Sequence, residues 1–181
     1  MQKSNNAIIE ECRKSNQLAQ MQVYDAYCDA MYNITCRYLN QEDAKDAMQE
    51  GFLKAFINIK SYKPEFSFGA WLKRIMINQC IDILKKRTLK FIEVDIEYLK
   101  LVEDDNWNVD QMISKAQIEN AIEQLSDKYK LVVKLYLKEG YDHEEISQIL
   151  SIPIKTSRTH LRRGRLQLKE LLKNKRYGTG Y

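Results

Sequence analysis

Along most of the chain apolar residues recur at helical rather than alternating spacing. Between 23 and 39, Tyr24, Tyr27, Cys28, Met31, Ile34 and Tyr38 fall at offsets 0, 3, 4, 7, 10 and 14 and line one face of a helix. Between 42 and 60, Ala44, Ala47, Met48, Phe52, Ala55, Phe56 and Ile59 repeat the pattern, while Glu42, Asp43, Asp46, Gln49 and Glu50 take the other side. Acids in the first turns suit the positive end of the helix dipole. The stretch Ser61-Tyr62-Lys63-Pro64-Glu65-Phe66-Ser67 breaks the period, because Pro64 disfavours helix at the residue before it. A third helix is predicted from about Phe68 to Arg87, with Leu72, Ile75, Met76 and Ile83 inward and Lys85-Lys86-Arg87 at its end.

From 88 to 114 the periodicity is weak and the string Glu103-Asp104-Asp105-Asn106 is polar, which reads as a tether with little fixed structure. Ile118, Ala121, Ile122 and Leu125 then mark one helix, and Leu131, Val132, Leu135 and Tyr136 another that stops at Gly140, a natural left-handed position. In Asp142-His143-Glu144-Glu145, Asp142 can cap a helix and Glu145 can reach back to form a capping box. That short helix ends near Leu150, and after Ser151-Ile152-Pro153 a long final helix begins. The expected fold is all-α: two small helical domains, 1–90 and 115–181, joined by an acidic flexible linker, 91–114, the second domain being a helix-turn-helix.

Composition narrows the class. Only 6 Gly and 2 Pro among 181 residues exclude collagen-like and Pro- or Gly-rich low-complexity chains. No apolar run approaches the ~18–20 residues that span a bilayer, and the start, Met1-Gln2-Lys3-Ser4-Asn5-Asn6, leads into no signal-peptide core, so a cytoplasmic protein without membrane insertion is expected. Cys12, Cys28, Cys36 and Cys80 form no CxxC pair, and His143 and His160 lie far from them in sequence, so free thiols are expected and no metal or cofactor. The net charge of +4 is unevenly spread. Residues 1–91 hold 14 cations against 10 acids, 92–114 hold 1 against 7, and 115–181 hold 14 against 8. Nine cations and one acid between 155 and 176 read as a polyanion-binding surface, with an ordinary solvated helix face as the alternative.

The helix 143–150, the tight break and the helix from 154 have the size of a helix-turn-helix, whose second helix enters the major groove. Ser157, Leu161, Gly164, Leu168 and Leu171 take its inner face, and Lys155, Arg158, Thr159 and Arg162 its outer face. Arginine suits bidentate contact with guanine and with phosphate, and threonine reaches base edges or phosphate oxygens. A second candidate surface lies on helix 68–87, where Arg74, Asn78, Asp82 and Lys85 form a polar stripe. The aromatics Tyr62, Phe66, Phe68 and Trp71 around its start are suited to stacking on unpaired bases, although aromatics at helical spacing are more often core.

The residues Asp43-Ala44-Lys45-Asp46-Ala47-Met48-Gln49-Glu50-Gly51-Phe52-Leu53-Lys54-Ala55-Phe56 and Phe68-Gly69-Ala70-Trp71-Leu72-Lys73-Arg74-Ile75-Met76-Ile77-Asn78 resemble the first conserved domain of bacterial RNA polymerase sigma factors. Leu125-Ser126-Asp127-Lys128-Tyr129, Glu139-Gly140-Tyr141-Asp142-His143-Glu144-Glu145-Ile146 and Arg162-Arg163-Gly164-Arg165 resemble their C-terminal domain. Two such domains with nothing substantial between them are similar to the extracytoplasmic-function (ECF) group of the sigma-70 family, over roughly residues 20–175.

That resemblance implies a protein with no catalysis of its own, which binds core RNA polymerase through its clamp and flap surfaces and directs it to promoter DNA, with an anti-sigma factor as a further partner. It implies that Asp43, Asp46, Gln49, Glu50 and Phe52 dock on the polymerase clamp. It implies that Tyr62, Lys63, Phe66, Trp71, Arg74, Asn78 and Lys85 read and melt the −10 element, with Phe66 equally able to plug the core beneath its loop. It implies that Lys155, Thr156, Arg158, Thr159, Arg162 and Arg163 read the −35 element, and that the acidic linker threads the polymerase channels. The chain departs from the family pattern at Ser151, Pro153, His160 and Gly164, which bears on the −35 sequence preferred. The competing class is a stand-alone helix-turn-helix regulator. An enzyme finds no support, since His143-Glu144-Glu145-Ile146-Ser147 lacks the second His of HExxH and no Gly-rich phosphate loop is present.

Overall fold

The computed structural model describes residues 2–87 and 113–174, which contain helices and turns and no strand. The chain divides into two compact units, 1–89 and 90–181. The predicted acidic tether, 91–114, falls almost entirely outside the described residues.

The first unit contains α1 (Gln2–Arg13), α2 (Gln17–Thr35), α3 (Gln41–Ile57), a 3-10 turn (Ile59–Ser61) and α4 (Phe68–Arg87). Periodicity does not reveal α1, because its docking face is only two residues deep: Ile9 and Cys12 are buried. Its chain reverses at Ser15, whose φ of 62° lies in the left-handed region. Asn16 then caps α2, its side chain accepting from the N–H groups of Leu18 and Ala19 at 3.0 and 3.3 Å. So α2 starts six residues earlier than the predicted position 23. The signal is blurred there because the apolar residues Leu18 and Met21 are 73% and 64% exposed.

The inward side of α3 is a stripe of small residues, Ala44, Ala47, Gly51 and Ala55, all buried. Along it lies α4, with Phe68, Leu72, Met76, Ile77, Cys80 and Ile81 buried. Of the expected inward residues, Ile75 is only half-buried, whereas Ile83, also half-buried, packs against the cluster of Leu39, Ala44, Ala47 and Cys80. Three consecutive apolar residues, 75–77, leave the helix phase ambiguous in sequence, and the small-residue stripe settles it in favour of Met76 and Cys80. Burial pushes the Cys80 thiol up to about 12. At the far end of the pair Arg87 donates both terminal nitrogens to the two carboxylate oxygens of Asp43.

In the second unit α5 (Lys115–Glu123) opens with a capping box between Ser114 and Gln117. Next, α6 (Asp127–Val133) runs into a π-helical turn (Lys134–Lys138). Lys134 is buried there and pairs with Glu123 at 2.7 Å. Desolvation pulls its ammonium below the usual lysine range, against the opposing pull of Glu123. Gly140 adopts φ 78° as the segment turns away. Then α7 (His143–Leu150) carries the predicted capping box, with Glu145 N–H donating to Asp142 at 2.8 Å and Asp142 N–H donating to Glu145 at 3.2 Å.

The long α8 (Ile154–Asn174) buries Ser157, Leu161, Gly164 and Leu168, as its spacing predicts. Leu172 takes the buried place expected of Leu171, which is half-buried, and His160 is buried beside Tyr129, ring centroids 5.4 Å apart. Gly164 marks the closest approach of α8 to α6: a Cβ there would lie 2.6 Å from Val133 Cγ2 and 3.3 Å from Tyr129 Cβ. Gly164→Ala therefore adds a methyl group where no space exists. Overpacking costs about 1–3 kcal/mol, against a gain of about 1 kcal/mol in helix propensity. A net destabilisation is expected in urea unfolding of the whole chain, relieved by Val133→Ala in the same molecule; a Gly164→Ala chain as stable as wild type would contradict this packing.

Candidate nucleic-acid and protein interface

On α3 the exposed residues Asp46, Gln49 and Glu50 share one face with Glu42, Leu53 and Ile57. Leu53 and Ile57 are 58% and 79% exposed. They were not singled out as site residues, although apolar side chains on the solvent side of a helix are the signal that finds them. Two residues grouped with this face have other surroundings. Asp43 spends its carboxylate on Arg87 and accepts from Asn40 at 2.6 Å, and the Arg87 bond holds its carboxyl below the usual range. Phe52 is buried against Tyr24, ring centroids 4.8 Å apart, so it belongs to the core.

The loop before α4 is built on an aromatic cluster. Tyr62 is buried, with its ring 5.2 Å from Phe68 and 5.6 Å from Trp71, and its hydroxyl donates to the Phe66 carbonyl at 2.8 Å. Tyr62 is thus a frame for the loop rather than a stacking surface. Trp71 is half-buried against Phe68 and Tyr62. Phe66 is 67% exposed, which resolves the two readings of this ring: it does not plug the core. Lys63 and Asn78 are exposed, and Arg74 and Lys85 half-buried. From Trp71 to Lys85 the stripe extends about 21 Å at 1.5 Å per residue.

In the second unit the turn 151–153 is held tightly. Ser151 lies in the left-handed region at φ 57°, doing at a modest strain what glycine does freely. Ser147 pins the turn twice: its hydroxyl donates to the Ile152 carbonyl at 2.6 Å, and its own carbonyl accepts from Ile152 N–H at 3.1 Å. The Pro153 carbonyl accepts the first helical bond, from Ser157 N–H at 3.0 Å, so proline is tolerated at this start.

The outer face of α8 exposes Lys155 and Arg158, with Arg162 and Thr159 half-buried beside them. Thr156 is half-buried, and the Thr159 hydroxyl donates to the Lys155 carbonyl at 2.9 Å. Arg163 turns aside, donating to the Tyr129 hydroxyl at 3.4 Å. Arg165, not among the expected contacts, sits over the Tyr136 ring at 5.7 Å. His143 joins the two helices of the motif: its Nδ1 lies 2.9 Å from the Ser157 hydroxyl, and its ring stacks on Tyr136 at 5.0 Å. Among the described residues no group of His, Cys, Asp or Glu is placed to hold a metal ion, and no helix is long and apolar enough to cross a membrane.

An exposed acidic helix, a loop with a presented aromatic and a helix-turn-helix with cations outward define a DNA-directed protein with a protein-binding face. The model of Sigma-70 region 2 matches residues 23–89, and that of Sigma-70 region 4 matches 115–168. The chain belongs to the sigma-70 family, in its extracytoplasmic-function group. It is 32% identical to the ECF RNA polymerase sigma factor SigW of Bacillus subtilis, over 92% of this chain and 95% of that protein. It is 27% identical to the ECF RNA polymerase sigma-E factor of Haemophilus influenzae, over 96% of each. Its fold is similar to CnrH, solved with the cytosolic domain of CnrY, with TM-score 0.54 and 20% identity over 94% of this chain and 97% of that one. The sigma factor RpoE of Bartonella quintana, solved with the anti-sigma factor NepR, gives TM-score 0.54 and 20% identity over 84% and 96%. The protein is therefore a non-enzymatic initiation factor that binds core RNA polymerase and directs it to promoters.

Burial, with Arg158 and Arg165 nearby, lowers the affinity of His143 for a proton, and Asp142 opposes them. A folded-state value below the unfolded one means that the unfolded chain takes the proton first. Stability from this site is complete above the ordinary histidine range and is lost as pH falls through it. Between about pH 8 and about pH 5 the wild-type chain is expected to lose more stability than His143→Gln, measured by denaturant unfolding; parallel curves would remove His143 from the account.

Proposed function

We propose that the first unit divides its work between opposite sides of one helix pair. On α3, Asp46, Gln49 and Glu50, with Leu53 and Ile57, dock on the clamp of core polymerase. On α4, Arg74, Asn78 and Lys85, with Trp71, Phe66 and Lys63 at its start, hold the opened −10 strand. In the second unit Arg158 and Arg162 read the −35 element, while Lys155, Thr156, Thr159 and Arg163 contact phosphate or set the fit. The division of labour is residues 1–90 for core binding and −10 melting, 115–181 for −35 recognition, and 91–114 as the acidic tether between them.

The observation that carries this reading is the exposure pattern of α3. Its acids lie on the solvent side with two large apolar residues among them, an arrangement that folding does not require. Charge complementarity would steer a basic partner to that face, and the apolar pair would supply the area buried at its centre. Two similar folds were solved with an anti-sigma factor or a cytosolic domain of another protein. We extend a partner of that kind, an anti-sigma factor, to this chain. The place of action is the cytoplasm, where polymerase and promoter meet.

Opening a promoter without ATP requires that contacts to the separated strand offset unpairing and unstacking. Unstacking a base costs a few kcal/mol, and each base stacked on an aromatic ring returns about 1–3 kcal/mol. Phe66 is placed to supply stacking, and Asn78 offers both donor and acceptor to a base edge.

Asp46→Lys and Glu50→Lys are expected to weaken binding to core polymerase at least tenfold, on the order of 1.4 kcal/mol, with the unfolding midpoint unchanged. Titration of labelled chain with core measures this; wild-type affinity in both variants would exclude α3 as the docking face. At the −35 element, replacing a base-reading Arg158 or Arg162 by Ala is expected to cost about 1–3 kcal/mol and relax preference at one position. Lys155→Ala is expected instead to weaken all sequences alike and flatten the salt dependence by about one counterion. Holoenzyme binding to a randomised −35 library distinguishes them, and unchanged preference in both arginine variants would refute the groove assignment.

A further inference from the structure

We propose that Arg13, on a helix outside both family matches, positions the loop that captures the opened −10 strand. This rests on the reading of Phe66 and Asn78 given above. The Arg13 guanidinium donates through Nη2 to the Tyr62 carbonyl at 2.7 Å, joining positions 49 residues apart. Glu10, one turn earlier, holds the same guanidinium at 3.2 Å. The helix that carries them is anchored by buried Ile9 and Cys12, so the donor is fixed from behind.

The loop is gripped at both ends. Arg13 takes the carbonyl at its entry, and the Tyr62 hydroxyl takes the Phe66 carbonyl at 2.8 Å, while Phe66 N–H closes a turn onto Lys63 at 3.1 Å. The Tyr62 ring cannot swing, because Phe68 and Trp71 pack against it. What remains outside is the Phe66 ring, 67% exposed on a backbone with little freedom. A loop ordered before DNA arrives does not lose its freedom at the moment of capture, which favours the opened strand over the closed duplex.

Arg13 also carries a cost that a purely structural residue would avoid. Its Nε is buried with no hydrogen-bond partner, so an apolar side chain of similar length would pack there without that penalty.

The test uses the 181-residue chain assembled with core polymerase on a linear promoter and on the same promoter with a pre-melted −10 bubble. Permanganate reactivity of −10 thymines reports opening on the linear template, and the yield of run-off transcript reports function on both. Arg13→Met is expected to slow opening about tenfold on the linear template, the effect of losing one charge-assisted bond, and to match wild type on the bubble. Core affinity should not fall, and the chain should remain folded at the temperature of the assay. Arg13→Lys, which keeps one charged donor, should lie between. Arg13→Met combined with Phe66→Ala should be no slower than Phe66→Ala alone, because both act through one loop. Opening at the wild-type rate in Arg13→Met, an equal defect on both templates, additive defects in the double variant, or loss of folding in place of a selective defect would each overturn the proposal. If Phe66→Ala and Asn78→Ala open normally, the reading of the loop itself fails. If they are slow and Arg13→Met is not, only the role of Arg13 fails.

Discussion

The first unit depends on how closely α4 can approach α3. Ala44, Ala47, Gly51 and Ala55 form a strip of α3 nearly without bulky side chains beside the buried Met48 and Phe52, and Leu72, Met76, Ile77 and Cys80 fill the space from the other helix. Each large apolar residue buried there contributes about 1.5–3 kcal/mol, whereas exposed ion pairs contribute about 0–1 kcal/mol. Stability is thus concentrated in the interface between the helices, and their outer faces are relieved of it. A partner protein and a DNA strand can then be served by different sides of the same pair. The Arg87–Asp43 fork fixes the end of the pair without drawing on the acids of the outer face.

The second unit applies the same rule with different residues. Gly164 lets α8 lie against Val133 and Tyr129, and the inner side of α8 buries two polar residues, Ser157 and His160, among Leu161, Leu168 and Leu172. Those groups need partners. His143 lies 2.9 Å from Ser157, and Tyr129 meets His160 edge-on. A polar inner face tied by directed contacts constrains rotation of the helix about its axis more than an apolar face would, because hydrogen bonds have angular preferences and dispersion contacts do not. For a helix proposed to present Arg158 and Arg162 to base edges, the rotational setting matters as much as stability.

Where local chemistry alone decides a feature, the sequence discloses it. The capping box at Asp142 and Glu145, the left-handed Gly140 and the break at 151–153 are of this kind, as are the acidic and basic outer faces. Where two structures share a local pattern, it does not. The run 75–77 leaves the phase of α4 open until the stripe on α3 selects it. A first helix with two buried residues has no period to detect, and α2 is obscured by the exposed Leu18 and Met21. Tyr62 and Phe66 are aromatic neighbours in one loop with opposite fates, one 4% and the other 67% exposed. Nothing within the loop distinguishes them, since the difference arises from Phe68 and Trp71, which enclose one ring only. Family resemblance marks the region as a whole and does not sort its aromatics.

That sorting bears on how a factor without ATP can open DNA. If every ring of a loop proposed to meet the −10 strand were a free stacking surface, each would have to be ordered when the strand arrived, and part of the stacking energy would be spent on that ordering. Here the rings divide the task. Tyr62 and Phe68 are committed to the core, Trp71 lies at its edge, and Phe66 is carried outward by a backbone they support. One stacked base returns about 1–3 kcal/mol, which is comparable with the cost of extruding it only when little is lost to ordering. On the reading proposed above the loop works on a narrow margin, and the residues that set the margin are those that hold the backbone still rather than those that touch the base. On that reading, substitutions in the buried frame should resemble substitutions in the contact surface, because both act on the same ordered backbone.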